Sequence, residues 1–132
     1  MGLFRGNQES SSQSAGNPLE PELERLSQLP LPDLAVEVMA KGWGPGGAAP
    51  DGETGSVGIA KVFVPDFVRA DAASIHRFTQ VIGEGVQVLE HAGLVRFTFW
   101  GGQADGPYYT VTRRGQTALA QDTVRRLLAY DR

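Results

Sequence analysis

The chain of 132 residues contains no cysteine, no long apolar run and only two histidines. Without cysteine it can form neither disulfide bonds nor thiolate metal sites, which fits a reducing compartment, and we expect a cytoplasmic protein. No apolar run approaches the roughly 20 residues that a membrane-spanning helix needs, and the N-terminus lacks the basic start and apolar block of a secretory signal. We therefore expect no membrane partner.

The residue types that carry catalysis are equally scarce. His76 and His91 lie fifteen positions apart on one predicted helix, which separates them by roughly 22 Å along its axis, so they cannot share a metal ion. The glycines of segment 42–47 match a dinucleotide fingerprint, but the segment follows a predicted helix instead of a strand, and an ordinary loop is favoured. No nucleophile, base and oxyanion donor can be assembled, so we predict no enzyme activity, no cofactor and no metal.

The charge is slightly acidic and unevenly distributed. Twelve basic and fifteen acidic residues give a net charge of −3. Residues 1–65 hold four basic and eight acidic residues, whereas residues 66–132 hold eight arginines and seven acids. Arginine suits bidentate contact with phosphate or carboxylate, but a DNA-binding domain usually shows a larger basic excess. The pairs Arg113-Arg114 and Arg125-Arg126 are either functional or ordinary helix-surface charge.

Residues 1–18 and 19–132 differ in composition. The first segment is mostly Ser, Gln, Asn and Gly, with too little apolar surface to offset the entropy of ordering, and we predict a disordered tail. Residues 19–132 form one predicted domain that begins with a helical hairpin. Leucines recur at helical spacing from Leu19 to Leu29, and Pro30 and Pro32 separate this helix from a second one that reaches Gly42. The segment 42–57 is rich in Gly and Pro and is predicted to be a flexible loop.

The strongest pattern is a long amphipathic helix that begins near Asp71. Its apolar residues recur at steps of three and four in one continuous stripe, namely Ile75, Phe78, Ile82, Val86, Leu89 and Ala92. Gly83 and Gly85 interrupt the helix and cost about 1 kcal/mol each relative to alanine, unless another element packs close or the helix bends. Gly93 is the expected left-handed stop. The short apolar run 58–64 is predicted to be a separate short helix.

Two alternating segments after this helix predict a β-hairpin. In residues 95–100, the odd-numbered side chains share one side, with Phe97 and Phe99 together, and the even-numbered ones share the other, with Trp100. The second segment runs from residue 108 to residue 112, and the intervening Gly-rich tip is too long for a two-residue turn. Thr112 is placed to cap one last helix. The buried face of that helix would be formed by Ala118, Leu119, Val124, Leu127 and Leu128.

Three segments together carry a family resemblance: residues 89–95 (LEHAGLV), residues 108–112 (YYTVT) and residues 114–119 (RGQTAL). They are similar to winged-helix domains of bacterial regulators of the MarR and PadR kinds. In those domains the recognition helix ends in a leucine, acid, Gly-Leu-Val string, and the strand after the wing runs into a Thr, basic, Gly step. The resemblance implies an α+β, mainly helical fold, a winged helix-turn-helix-like domain with a C-terminal β-hairpin wing and a helical N-terminal hairpin.

The same resemblance implies a recognition helix in the major groove of double-stranded DNA, with the wing on the adjacent groove or backbone. The implied DNA-binding residues lie on the solvent side of the long helix and beside the wing: Ser74, His76, Arg77, Gln80, Arg96, Arg113 and Arg114. Because roughly 3 to 5 phosphate contacts give weak binding at physiological salt, useful affinity would need dimerisation. We expect a homodimer that pairs through residues 19–42 or through the last helix.

A protein partner is the alternative to DNA. The wing tip carries Asp105 and no basic residue, and the N-terminal half of the chain is acidic. These features favour a winged-helix protein-protein interaction module without DNA binding. Trp100, Tyr108 and Tyr109 form either an exposed aromatic patch for such a partner or one face of the core. The sequence leaves both functions open, a DNA-binding transcriptional regulator and an interaction module.

Overall fold

The computed structural model describes the backbone of residues 19–130 and the side chains of residues 19–128. This part of the chain is α+β and mainly helical, as the sequence predicts. Its elements are α1 (Glu20–Ser27), α2 (Leu31–Trp43), β1 (Glu53–Thr54), α3 (Ser56–Phe63), a 3-10 turn (Phe67–Arg69), α4 (Ala72–His91), β2 (Val95–Trp100), β3 (Pro107–Val111), α5 (Arg113–Gln121) and α6 (Val124–Tyr130). The predicted disordered tail, residues 1–18, lies outside the described residues. No helix within residues 19–130 is both long and apolar enough to cross a membrane.

The predicted helical hairpin is confirmed as α1 and α2. Proline is not tolerated in the interior of a helix, so α1 ends before Pro30 and the chain turns. Helix α2 then begins with Pro32 in its first turn, where proline is favoured. The side chain of Arg25 on α1 joins the pair, since it reaches Glu22 at 2.6 Å and Glu37 of α2 at 2.8 Å. Two carboxylates therefore hold one guanidinium between the helices.

Helix α4 lies at the centre of the fold. The predicted apolar stripe is buried, and Phe78, Ile82 and Leu89 are fully shielded from solvent. Gly85 lies against α2, because a Cβ atom added there would come within 2.7 Å of Val38 Cγ2. Gly83 is different, since an added Cβ would meet only Ser56 Oγ at 3.6 Å. One of the two interrupting glycines is thus explained by close helix packing, and the other is not.

The helix ends where the sequence predicts. Gly93 adopts a left-handed φ of +77°, and the chain then enters β2. The Thr, basic, Gly step is explained by contacts at the same junction, where Thr112 Oγ1 accepts a hydrogen bond from Gly115 N at 3.0 Å and caps α5. A Cβ atom at Gly115 would collide with the carbonyl oxygen of Leu94. The start of α5 is therefore packed against the end of α4.

The sheet has three antiparallel strands in the order β1-β3-β2. The hairpin of β2 and β3 is confirmed, but the sequence does not reveal β1, which contains only two residues between glycine-rich turns. It pairs Glu53 with Thr110 and Thr54 with Tyr109. The predicted loop at 42–57 is therefore wrong at both ends, because Trp43 still belongs to α2 and Ser56 already begins α3.

Two further predictions are corrected in the C-terminal part. The single last helix is two helices, since Asp122 adopts a left-handed φ of 56° and breaks it between α5 and α6. The strict alternation in β2 fails because its pairing with β3 is irregular between Phe97 and Phe99. Phe97 faces Tyr109 and Phe99 faces Tyr108, so the two phenylalanines lie on opposite sides of the hairpin.

The two glycines of α4 form a matched pair for a stability test. We predict that Gly85→Ala lowers the free energy of unfolding by about 1–3 kcal/mol, because the new methyl group overlaps a buried valine. Gly83→Ala has room for its methyl group and should raise stability by about 0.5–1 kcal/mol through helix propensity. Urea unfolding monitored by circular dichroism measures both. Equal effects of the two substitutions would contradict the close packing of α2 and α4 at Gly85.

The ion pairs between α1 and α2 should make stability depend on pH. The hydrogen bond from Arg25 holds the pKa of the Glu37 carboxyl below its ordinary value. Ionised Glu37 therefore stabilises the fold above its unfolded pKa, and this contribution is lost as the pH falls through the lower folded pKa. Arg25→Ala should cost about 0.5–1 kcal/mol at pH 7 and flatten the loss of stability below pH 4.5. An unchanged pH profile in urea unfolding would refute this.

Candidate functional site

One exposed polar face runs the whole length of α4. Its members recur at helical spacing and are all exposed: His76, Arg77, Gln80, Glu84, Gln87 and His91. The charge changes along it, because Arg77 lies in the N-terminal half and Glu84 and Glu90 lie in the C-terminal half. Arg77 makes no hydrogen bond or ion pair with the described residues. The N-terminal half is therefore the part of the face that can approach an anionic partner.

Ser74 does not belong to this face. Only 5 % of its surface is exposed, and it is one turn away from Phe78, on the side of α4 that packs into the core. The prediction that Ser74 lies on the solvent side with His76, Arg77 and Gln80 is wrong in this respect. The stripe of Phe78 and Ile82, extended back by one helical turn, ends at Ser74, so the spacing itself carried that signal.

The hairpin returns alongside α4 from the helix end toward its middle. Pro107, at the start of β3, lines an open groove of about 400 Å³ together with Gln80 and Gly83 of α4, Ser56 of α3 and Tyr109. Burial, and to a smaller extent Glu90, raise the pKa of the Tyr109 hydroxyl. The same groove is lined by Glu84, Val86 and Gln87, so the far end of the hairpin lies beside the middle of α4.

The hairpin exposes its aromatic side chains. Phe97 and Phe99 are each nearly half exposed, and Trp100 is 61 % exposed. Phe99 stacks on Tyr108 with ring centroids 4.8 Å apart, and Phe97 meets Tyr109 edge to face at 6.0 Å. These pairs stabilise the hairpin and leave aromatic side chains exposed on both of its sides, which together form its aromatic surface. The sequence could not distinguish this surface from core, because the irregular pairing after Phe97 is not visible in the pattern.

The three other predicted DNA-binding residues lie at the opposite end of α4. Arg114 Nε donates to the carbonyl oxygen of Ala92 at 3.1 Å, and Arg113 precedes it in α5. Arg96 follows Val95, the residue that pairs with Val111 at the base of the hairpin. Ala92 is fifteen residues beyond Arg77, which corresponds to about 22 Å of helix. The structure therefore brings His76, Arg77 and Gln80 together and places Arg96, Arg113 and Arg114 elsewhere.

A larger groove lies between the C-terminal end of α1 and the C-terminal half of α4. It has a volume of about 1040 Å³, and its walls combine the apolar side chains of Leu29, Leu31, Val88 and Leu128 with polar ones such as Gln87 and His91. Leu31 is 50 % exposed. The groove adjoins the helical hairpin and α6, which are the elements through which we expect two copies to pair.

The described residues contain no group of three His, Asp or Glu side chains that could hold a metal ion. Comparison with protein-family models, with curated proteins and with solved structures finds no match to this chain.

The residues that the sequence analysis did not predict are those of the groove beside α4. Ser56 and Pro107 line the same groove as Gln80. Ser56 follows β1 and Pro107 begins β3, which pairs with β1, and no sequence pattern predicts a two-residue strand.

The two tryptophans provide a test of the exposed hairpin. Trp43 is 2 % exposed and Trp100 is 61 % exposed. We predict that acrylamide quenches the fluorescence of Trp43→Phe strongly, because only Trp100 remains, and that it quenches Trp100→Phe weakly. Stern–Volmer constants of the two folded variants give the comparison. Similar constants would mean that the aromatic surface of the hairpin is covered.

Proposed function

We propose that this protein is a winged-helix DNA-binding protein that acts as a transcriptional regulator. The elements α2, β1, α3, α4, β2 and β3 follow one another in the order of a winged-helix domain, and the sheet order β1-β3-β2 agrees with it. In that arrangement α4 is the recognition helix, and the hairpin of β2 and β3 is the wing. The short strand β1, which the sequence does not reveal, adds support to the resemblance.

One observation carries the proposal: the far end of the hairpin lies beside the middle of α4, where Gln80 is one helical turn from Arg77 and both side chains are exposed. The groove that joins Gln80 to Pro107 shows this proximity. A duplex could contact the exposed face of α4 in its major groove and the hairpin on the adjacent backbone. Arg113 and Arg114 lie at the other end of α4, about 22 Å along the helix from Arg77, and the proposal leaves them out of the contact.

The side chains on this half of α4 suit base recognition. Arg77 can donate two hydrogen bonds to guanine or bind a phosphate, and Gln80 can pair with the donor and acceptor of adenine. His76 adds a donor on the same face. Since so few cations are available, a single copy would bind weakly at physiological salt. We therefore propose that the protein binds DNA as a homodimer, with the large groove near Leu31 as the contact surface between the two copies.

A second function is favoured by the aromatic surface of the hairpin. Phe97, Phe99 and Trp100 expose more apolar area than a wing needs for contact with a phosphate backbone. Asp105 at the tip and Glu84 on α4 add negative charge, which repels DNA. A winged-helix protein-protein interaction module would use these same features, because aromatic side chains are enriched where proteins bind each other.

The test is a titration with duplex DNA of random sequence at several salt concentrations. We predict binding at low salt that weakens steeply as salt is added, and Arg77→Ala should reduce the slope of log affinity against log salt by about 1. Replacing both Arg77 and Gln80 by alanine should abolish the enrichment of particular sequences from a random pool. Fluorescence anisotropy gives the affinity, and thermal unfolding checks that each variant folds.

Arg113→Ala is the matched control, because it removes one exposed arginine of α5 that the proposal leaves out of the contact. It should leave the affinity and the salt slope nearly unchanged. If the parent protein binds no DNA at low salt, the DNA proposal fails and the interaction module is the better account. Equal weakening by Arg77→Ala and Arg113→Ala would show that the exposed face of α4 is not the specific binding surface.

A further inference from the structure

The four arginines of α5 and α6 divide into two kinds. Arg125 forms an ion pair with Asp33 of α2, and Arg114 donates to the carbonyl oxygen of Ala92. Arg113 and Arg126 make no hydrogen bond or ion pair with the described residues. One member of each sequence pair thus has a partner in the fold, and the other is left exposed beside a cavity.

That cavity lies between α5 and α6 and has a volume of about 480 Å³. Arg113, Arg114 and Arg126 all line it, together with the polar side chains of Thr117, Gln121 and Thr123. No carboxylate from the described residues belongs to the lining. Its volume is within the range of small-molecule sites, and its polar side chains can all donate hydrogen bonds.

Three guanidinium groups around one cavity repel each other, and two of them occupy an unfavourable position. Arg113 and Arg114 are the first residues of α5, where the helix dipole favours anions and disfavours cations. Elsewhere the same chain places carboxylates beside such a charge, as it does around Arg25. A bound anion would place negative charge beside Arg113 and Arg126, which have no carboxylate partner among the described residues.

We propose that the cavity between α5 and α6 binds a small molecule that carries several phosphate or carboxylate oxygens. Arg113 and Arg126 contact the anion from the two helices, and Thr117, Gln121 and Thr123 donate further hydrogen bonds. Ala118 and Leu127 leave an apolar wall for the rest of the ligand. This site does not depend on the proposed DNA binding, because it lies at the other end of α4 from Arg77.

The experiment is a titration of the full-length protein with pyrophosphate at constant ionic strength, followed by ¹⁵N NMR. We expect saturable shifts of the arginine side-chain signals of Arg113 and Arg126 and of the backbone amides of Thr117 and Gln121. Loss of a charge-assisted hydrogen bond should weaken binding by about tenfold in Arg126→Ala and in Arg113→Ala. Arg69→Ala removes one exposed arginine outside the cavity and should change the affinity by less than about twofold.

Two outcomes would overturn the site. Either no saturable shift appears, or Arg69→Ala weakens binding as much as Arg126→Ala does, which would show a general effect of net charge. Citrate is titrated in parallel, and tighter binding of pyrophosphate or of citrate identifies a phosphate or a carboxylate ligand respectively.

A third titration uses duplex DNA. Displacement of pyrophosphate from Arg113 and Arg126 by DNA would contradict a small-molecule site. Failure of the DNA proposal would instead be seen as unshifted signals of His76 and Arg77, so the two proposals fail separately.

Discussion

The close contact of α4 with α2 at Gly85 determines how the rest of the fold is arranged. Val38 of α2 approaches the backbone of α4 so closely that any side chain at this position would overlap it, and Leu34 lies beside it. This contact fixes which side of α4 is buried, and the remaining side becomes one polar stripe along the helix. A glycine in the middle of a long helix costs stability, and here the cost is offset by packing that only glycine allows.

The length of α4 has a second consequence, because it separates two regions that the sequence places in one site. The N-terminal half carries Arg77, one helical turn from Gln80, which lines a groove with the far end of the hairpin. The C-terminal end is held by two hydrogen bonds, from Thr112 Oγ1 to the carbonyl oxygen of Gly93 and from Arg114 Nε to that of Ala92. Exposed arginines such as Arg77 and Arg113 therefore belong to different surfaces. The total number of arginines is larger than the number that one partner can contact.

Local physics explains which parts could be predicted. The apolar stripe of α4, the left-handed stop at Gly93 and the cap at Thr112 each depend on neighbours in the sequence, and each is confirmed. The break at Asp122 is also local, since Thr123 N donates to the carbonyl oxygen of Ala118, but no glycine marks the left-handed position. The strand β1 and the irregular pairing after Phe97 depend instead on contacts between distant segments. The candidate site was predicted only in part for the same reason: His76, Arg77 and Gln80 share a helix face, whereas the position of Arg113 depends on how α5 packs.

The absence of cysteine allows a direct test of where DNA binds, because a single introduced thiol would be the only one in the chain. Gln80→Cys lies on the exposed face of α4 and Gln116→Cys lies on the exposed face of α5. The rate of alkylation of each thiol is measured with and without excess duplex DNA. The account predicts that DNA slows alkylation at position 80 and leaves position 116 unaffected. Protection of position 116 alone, or equal protection of both, would contradict it.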